Sequence, residues 1–224
     1  RGLGDVYKRQ TVPDRFEQSP PSFAALGVAA EIVEALAHNG LTHVFSIQEL
    51  TLPIALEGRD LIGQARTGMG KTLAFGVPVL DRVFDDAAIA ELDGTPRALI
   101  IAPTRELAVQ VGEDLLLAAK NTPVRLSTIY GGRPYTEQIN ALKAGVDVVV
   151  GTPGRLLDLH QRGDLDLSKV AILVLDEADE MLDLGFLPDI QKIWGALNQP
   201  IQTMLFSATM PGPILSLARS MMNK

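Results

Sequence analysis

Cysteine is absent from the 224 residues, so neither disulfides nor thiolate metal sites can hold or serve this chain, a composition that fits a reducing compartment. The three histidines, His38, His43 and His160, show no metal-ligand spacing and read as surface or core residues. Aromatic residues make up 5%, too few for recognition of a nucleic acid by stacking on base after base. The longest continuous apolar run, Val170 to Leu175, is far short of the roughly 20 residues that span a bilayer. No apolar core follows the basic first ten residues, so no signal peptide is read and the expected location is cytoplasmic. Excess base is lacking too. The formal net charge is -7, and any nucleic-acid surface must therefore be a local basic face. Internal repeats and low-complexity tracts are also missing.

What is there is an ordinary globular composition, 46% hydrophobic and 21% charged, long enough to bury a sizeable core. Residues 1–22 are polar and aperiodic and end in Ser19-Pro20-Pro21-Ser22, which reads as a flexible extension whose first ten residues could be foreign to the natural protein. One domain is expected over residues 23–224. Helical spacing of Val28, Ile32, Ala35 and Leu36 predicts a helix over Gly27 to His38, and a second is predicted over Ile47 to Leu56 despite Pro53. Strands are predicted over Asp60 to Gly63, Ala98 to Ala102, Val124 to Tyr130, Val146 to Gly151, Ala171 to Leu175 and Thr203 to Phe206. Between and after them, helices are predicted from Leu73 and over Thr104 to Lys120, Tyr135 to Leu142, Gly154 to Gln161, Pro188 to Leu197 and Pro213 to Met222. Trp194, Met221 and Met222 fall on apolar helical stripes and read as packing. Acidic Asp81 to Pro96 reads as a solvated connection. Such alternation specifies an α/β fold with a parallel sheet sandwiched between helices, and Val146 to Val150 and Ala171 to Leu175 have the near-continuous apolarity of strands covered on both faces.

Chemistry first shows in Gln64-Ala65-Arg66-Thr67-Gly68-Met69-Gly70-Lys71-Thr72, set between the first strand and the helix after it. Unpaired amides and the positive end of a helix dipole meet there. Gly68 and Gly70 let the backbone close around phosphate oxygens, Lys71 can reach the β- and γ-phosphates, and the Thr72 hydroxyl can join a Mg2+ shell. Ala65 stands where the general phosphate-loop pattern has Gly, and a solvated Gly-Lys-Thr loop is the bland alternative. The second stretch is Leu175-Asp176-Glu177-Ala178-Asp179. Ligands of open parallel sheets bind at the carboxyl ends of strands, so Asp176 and Glu177 emerge on the edge that carries the phosphate loop. One carboxylate there can hold Mg2+ and the other can orient or deprotonate a water. Read alone, the same acids could cap the next helix.

Asp176-Glu177-Ala178-Asp179 spells the signature of the DEAD-box RNA helicases, and the chain resembles that family elsewhere. Ala65 to Thr72 is similar to its first motif, Ala65 included. Pro103-Thr104-Arg105-Glu106-Leu107-Ala108, Gly131-Gly132, Thr152-Pro153-Gly154-Arg155 and Ser207-Ala208-Thr209 follow in the family's order. The resemblance covers residues 23 to about 219 and implies a RecA-like P-loop NTPase lobe that uses ATP and Mg2+. It implies nucleotide contacts from Phe23, whose ring would stack on adenine, from Gln48, whose amide would read the adenine edge, and from Arg66, Thr67, Gly68, Met69, Gly70, Lys71 and Thr72. Thr72 and Asp176 would hold the metal, and Lys71, Asp176 and Glu177 would act in catalysis. Pro103, Thr104, Arg105, Gly131, Gly132, Thr152, Pro153, Gly154 and Arg155 would line an RNA-backbone site, Arg105 and Arg155 either touching RNA or bracing the loops. Asp179, Ser207 and Thr209 would couple nucleotide state to RNA, with capping of the Pro213 helix as a second role for the hydroxyls. The family usually has Pro-Thr-Pro-Ile-Gln where this chain has Val44-Phe45-Ser46-Ile47-Gln48, which puts in doubt the link between adenine and the phosphate loop. The resemblance further implies a second RecA-like lobe, absent here, so that the two-lobe parent unwinds short RNA duplexes while the 224 residues alone turn over negligibly. A P-loop ATPase acting on DNA and a non-catalytic ATP- and RNA-binding module are the alternatives. No membrane partner is expected.

Overall fold

A computed structural model describes residues 19–66 and 68–222, with the backbone alone at Met69. Thr67, most of the expected N-terminal extension and the last two residues lie outside the described residues. The apolar runs form the strands β1 (Leu61–Gln64), β2 (Ala98–Ile101), β3 (Leu126–Ile129), β4 (Val148–Gly151), β5 (Ile172–Leu175) and β6 (Gln202–Ser207). All pair in parallel in the order β1-β6-β5-β2-β4-β3. The predicted strands over Val124 to Tyr130 and Val146 to Gly151 are shorter in the structure. Just before them Arg125 and Asp147 remain joined, the Asp147 amide donating to the Arg125 carbonyl at 2.9 Å and the buried Asp147 carboxylate accepting the Arg125 amide at 2.7 Å.

Strand side chains alternate between two cores, as a period of two requires. Ala98, Ile100, Val148, Val150, Ile172, Val174, Met204 and Phe206 face one core, with α1 (Ala30–His38), α2 (Ser46–Leu56), α3 (Met69–Asp85) and α4 (Arg105–Ala119). Leu99, Ile101, Val149, Leu173, Leu175 and Leu205 face the other. That core is closed by α5 (Tyr135–Ala144), α6 (Pro153–Gln161), α7 (Ala178–Asp183), α8 (Leu187–Gly195) and α9 (Gly212–Met221). Full burial of each such aliphatic side chain contributes about 1.5–3 kcal/mol.

Several element boundaries move for identifiable reasons. Gly27, at φ 87°, closes a 3-10 turn over Ala24–Leu26, so α1 begins at Ala30 and not at Gly27. Its N-terminus is held from a distance: Asp81 Oδ1 accepts the Ala29 amide at 2.7 Å. Asp81 therefore belongs to α3 and to packing, not to a solvated connection. Burial pushes its carboxyl up, and the Ala29 amide pulls it back in part. Pro53 and Pro78 stand inside α2 and α3 without ending them, each forfeiting one amide bond. The end of the expected extension is part of the fold. Pro21 accepts the Val44 amide at 3.0 Å, and Ser22 bridges His43.

Strand order places β6 between β1 and β5, with Leu61 opposite Met204 and Val174 opposite that same residue. Gly63 in β1 allows this packing. A Cβ there would lie 2.5 Å from the buried Phe206 ring, which itself stacks at 5.4 Å on Phe75 of α3.

Candidate active site

β1 ends at Gln64 and α3 begins at Met69, four residues before the expected start, so Gly70, Lys71 and Thr72 lie in the first helical turn. Gly68 accepts the amides of Lys71 (3.1 Å) and Thr72 (3.2 Å) and, loosely, the Thr72 hydroxyl (3.4 Å). Lys71 and Thr72 are buried, whereas Arg66 is exposed. The fixed helix start aims Lys71 across the top of β6 to the end of β5. There Nζ lies 2.8 Å from Asp176 Oδ1 and 3.3 Å from Glu177 Oε1. The expected convergence of lysine and acids is thus present, with Glu177 106 residues from Lys71 in sequence.

Asp176 is fully buried, and apart from the charge contact with Lys71 its oxygens have no well-formed hydrogen bond. Burial pushes its carboxyl up, and the Lys71 charge opposes that rise. Glu177 is the one non-glycine residue at positive φ among the described residues, at φ 52° and ψ 56°. Left-handed backbone costs an L-residue about 1–2 kcal/mol. With that turn both adjacent acids reach Lys71, and Glu177 also hydrogen-bonds Glu180 of α7. Glu177, Asp179, Glu180 and Asp183 line a small cavity of about 200 Å³ that also touches Ala65 and Ala208. A hydrogen bond with Glu177, then burial and the neighbouring acids, pushes the Glu180 carboxyl up.

Ser207, Ala208 and Thr209 tie this edge together. The Thr209 amide and hydroxyl donate to Asp179 Oδ2 at 3.0 and 2.8 Å, and the Asp179 amide donates to Ser207 Oγ at 3.1 Å. Burial raises the Asp179 carboxyl, but the Thr209 bonds outweigh it and hold it below the usual range. Gln64 Nε2 donates to the Ala208 carbonyl (3.1 Å) and the Ala65 amide to that of Ser207 (3.2 Å). These hydroxyls do not cap α9, where Pro211 holds the N-cap position without a side-chain bond. They serve α7.

The adenine side departs from expectation. Phe23 is 1% exposed and packs in the first core, so its ring offers no open face. Gln48 is buried, its Oε1 accepting the Phe45 amide and its Nε2 donating to the Gly70 carbonyl, both at 3.0 Å. The amide thus bolts the start of α2 to the phosphate loop, a link that survives the loss of the family's threonine. Phe45 has no side-chain acceptor, so only the Gln48 half of a capping box exists at this helix start.

On the same sheet edge lies the expected RNA rim. Thr104 caps α4 by accepting the Leu107 amide at 3.2 Å, and Thr152 precedes Pro153, the first residue of α6. Pro103 and Pro153 are buried, whereas Gly131, Gly132 and Gly154 are exposed. Arg155 braces: Nη1 donates to the Arg133 carbonyl (2.9 Å) and Gln138 Oε1 (3.0 Å), and the guanidinium lies 4.0 Å over the Tyr135 ring. Exposed Arg105 and Arg133 stand over Tyr130, at 5.1 and 5.6 Å, and Arg162 covers Tyr135 at 4.2 Å. Cation–π contacts of this kind hold long basic side chains in place.

Among the described residues no three metal-ligating side chains cluster. A family model for the DEAD/DEAH box helicases matches residues 45–217. The chain belongs to that family. It is 50% identical over 206 residues to a chloroplastic DEAD-box ATP-dependent RNA helicase 3B of Zea mays, covering 90% of this chain and 27% of the relative. It is 48% identical to the DEAD-box ATP-dependent RNA helicase CshA of Streptococcus pneumoniae serotype 4, covering 86% of this chain and 36% of the relative. The crystal structure of a DEAD box protein from the hyperthermophile Methanococcus jannaschii superposes with a TM-score of 0.82 at 39% identity, covering 91% of this chain and 54% of that one. The chain therefore spans about a third of the curated relatives, and the fold is the RecA-like lobe of DEAD-box proteins.

Motif reading of this DEAD-box lobe placed Arg133 on the rim with Gly131-Gly132 but missed Tyr130, Tyr135 and Arg162. Tyr130 directly follows a strand and precedes Gly131-Gly132, a position that marks it for the rim. Arg162 carries no local signal.

Proposed function

We propose that the chain is the nucleotide-binding lobe of an ATP-dependent RNA helicase, with RNA backbone as its second ligand. The observation that carries this reading is the convergence of Lys71 on Asp176 and Glu177 at the end of β5. In this reading Lys71 exchanges Asp176 for phosphate oxygens when a triphosphate enters, helped by the amides of the α3 start. Asp176 and Thr72 hold Mg2+. The buried Asp176 carboxylate, held chiefly by the Lys71 charge, and the loosely bonded Thr72 hydroxyl suit that task. When bound, the ion neutralises charge on the β- and γ-phosphates. Glu177, which follows Asp176 in left-handed backbone and also faces Lys71, orients the attacking water and accepts its proton.

RNA lies along the rim of Thr104, Arg105, Gly131, Gly132, Thr152 and Gly154, contacted through phosphate and sugar and not through bases. Arg105 touches RNA and Arg155 positions the loops, as the bonds of Arg155 to Arg133 and Gln138 favour. Among the described residues Lys71 is the one cation paired with the catalytic acids. Arginines that stabilise a transferring phosphoryl group are worth about 10^3–10^5 in rate. A second RecA-like lobe supplies them, and the 224 residues alone turn over negligibly.

The test is RNA-stimulated ATP hydrolysis with the lobe joined to a second lobe, comparing wild type with Glu177→Gln. Binding of ATP without turnover in the variant is the expected result; undiminished turnover would reject the role of Glu177. Competition between RNA and DNA strands for the nucleotide-bound protein separates the RNA reading from a DNA-directed ATPase.

A further inference from the structure

We propose that Phe45 is the platform on which the nucleobase of the bound nucleotide stacks, an inference that rests on the nucleotide reading of the phosphate loop. Phe45 is 59% exposed and is the one aromatic among the large hydrophobic side chains exposed in the described residues. It stands at the phosphate loop. A Cβ placed on Gly70 would lie 3.9 Å from Phe45 Cδ2 and 3.9 Å from Gln48 Nε2, so ring, amide and loop meet at one point.

The ring is carried on a fixed backbone. The Phe45 amide donates to Gln48 Oε1 (3.0 Å), its carbonyl accepts the Glu49 amide (2.9 Å), and Gln48 in turn holds Gly70. A residue tied on both sides of its peptide unit, with its side chain in water, is preorganised for a flat apolar ligand. The ring upstream that could compete for this role, Phe23, is enclosed in the core. Gln48 is also committed, each end of its amide already bonded to backbone, with one lone pair and one N–H remaining. Stacking is therefore the open route to the base. Since every base has a π-face, such a platform adds affinity without strong choice among bases.

The test measures binding of ATP and of inorganic tripolyphosphate, each with Mg2+, to the 224-residue chain and to Phe45→Ala and Phe45→Trp. Phe45→Ala should weaken ATP about tenfold, or about 1.4 kcal/mol, and leave tripolyphosphate unchanged. Phe45→Trp should retain ATP affinity and add fluorescence that ATP quenches and tripolyphosphate does not, over the background of Trp194. ATP affinity indifferent to Phe45→Ala overturns the inference and spares the phosphate cradle. Equal loss of both ligands also overturns it, since Phe45 would then shape the loop and not bind the base. A wild-type chain that binds neither ligand overturns the cradle, and the inference with it.

Discussion

Two buried polar groups at opposite ends of this sheet, Arg82 and Asp176, are treated in opposite ways. At the amino end, Arg82 of α3 is sealed in: Nη1 donates to Gln202 Oε1 (2.6 Å) and Nε to Asp86 (2.8 Å), while Gln202 Nε2 donates to the Ala55 and Arg59 carbonyls, both at 2.9 Å. At the carboxyl end Asp176 is as deeply buried, yet it has one charge contact and no well-formed hydrogen bond, beside a residue in left-handed backbone. A polar network with its bonds complete holds a fold in one shape. Groups left short of partners, next to strained backbone, mark a place kept ready for a ligand. The contrast separates a group set for stability from one set for chemistry; it belongs to these two sites and not to the ends as wholes, since Arg97 Nε and Thr203 Oγ1 toward the amino end also lack hydrogen-bond partners.

The largest effect should come from Lys71→Ala, which strands a buried carboxylate. Loss of one partner of such a pair costs about 3 kcal/mol, the low end of its range because Asp176 can take up a proton. Urea unfolding would measure it, and adding Asp176→Asn should recover most of the loss. Failure to recover would mean that Asp176 is as fully bonded as Arg82.

Next comes Gln202→Leu, which leaves Arg82 Nη1 and two carbonyls without partners at a cost of about 2 kcal/mol. ATP affinity should not change. A fall in that affinity would dissolve the distinction between the two sites. Thr209→Val is a smaller probe. It removes the hydroxyl bond to Asp179 and keeps the amide bond, for about 1 kcal/mol. The charged form of Asp179 loses a donor, so its NMR-titrated pKa should move up.

Asp86→Asn should do least. The Arg82 hydrogen bond, followed by the Ala88 amide, holds the Asp86 carboxyl below its ordinary 3.8. A lowered folded pKa contributes stability that is present above the unfolded value and is lost as pH falls through the folded one. Denaturation midpoints from pH 5 downward should therefore decline less steeply in the variant. An unchanged acid slope would remove Asp86 from the amino-end network.

Much of this was legible in the sequence, because local periodicity and composition carry it. Val148 to Val150 and Ile172 to Leu175 had the unbroken apolarity of strands covered on both sides, and the edge rule brought Lys71 to Asp176. What escaped depends on distant partners. Nothing near Ala29 announces that Asp81 caps α1 from 52 residues away, and nothing near Gln48 says that Gly70 will consume its amide. The burial of Phe23 likewise follows from how the segment folds back on α1, not from its own neighbours. Helix α7 was hidden by its acids, which read as a motif first and as a helix second.

The position of β6 has a consequence for biosynthesis. The phosphate loop leaves the ribosome early, but the strand that must slide between it and the aspartate is made after the other five described strands. Until Gln202–Ser207 arrives, β1 has no neighbour on its only paired side, and Gln64 and Ala65 lack the carbonyls that pin them. Pairing over so long a separation is slow to nucleate. The phosphate loop is therefore pinned in a single late step, when β6 joins β1 to β5.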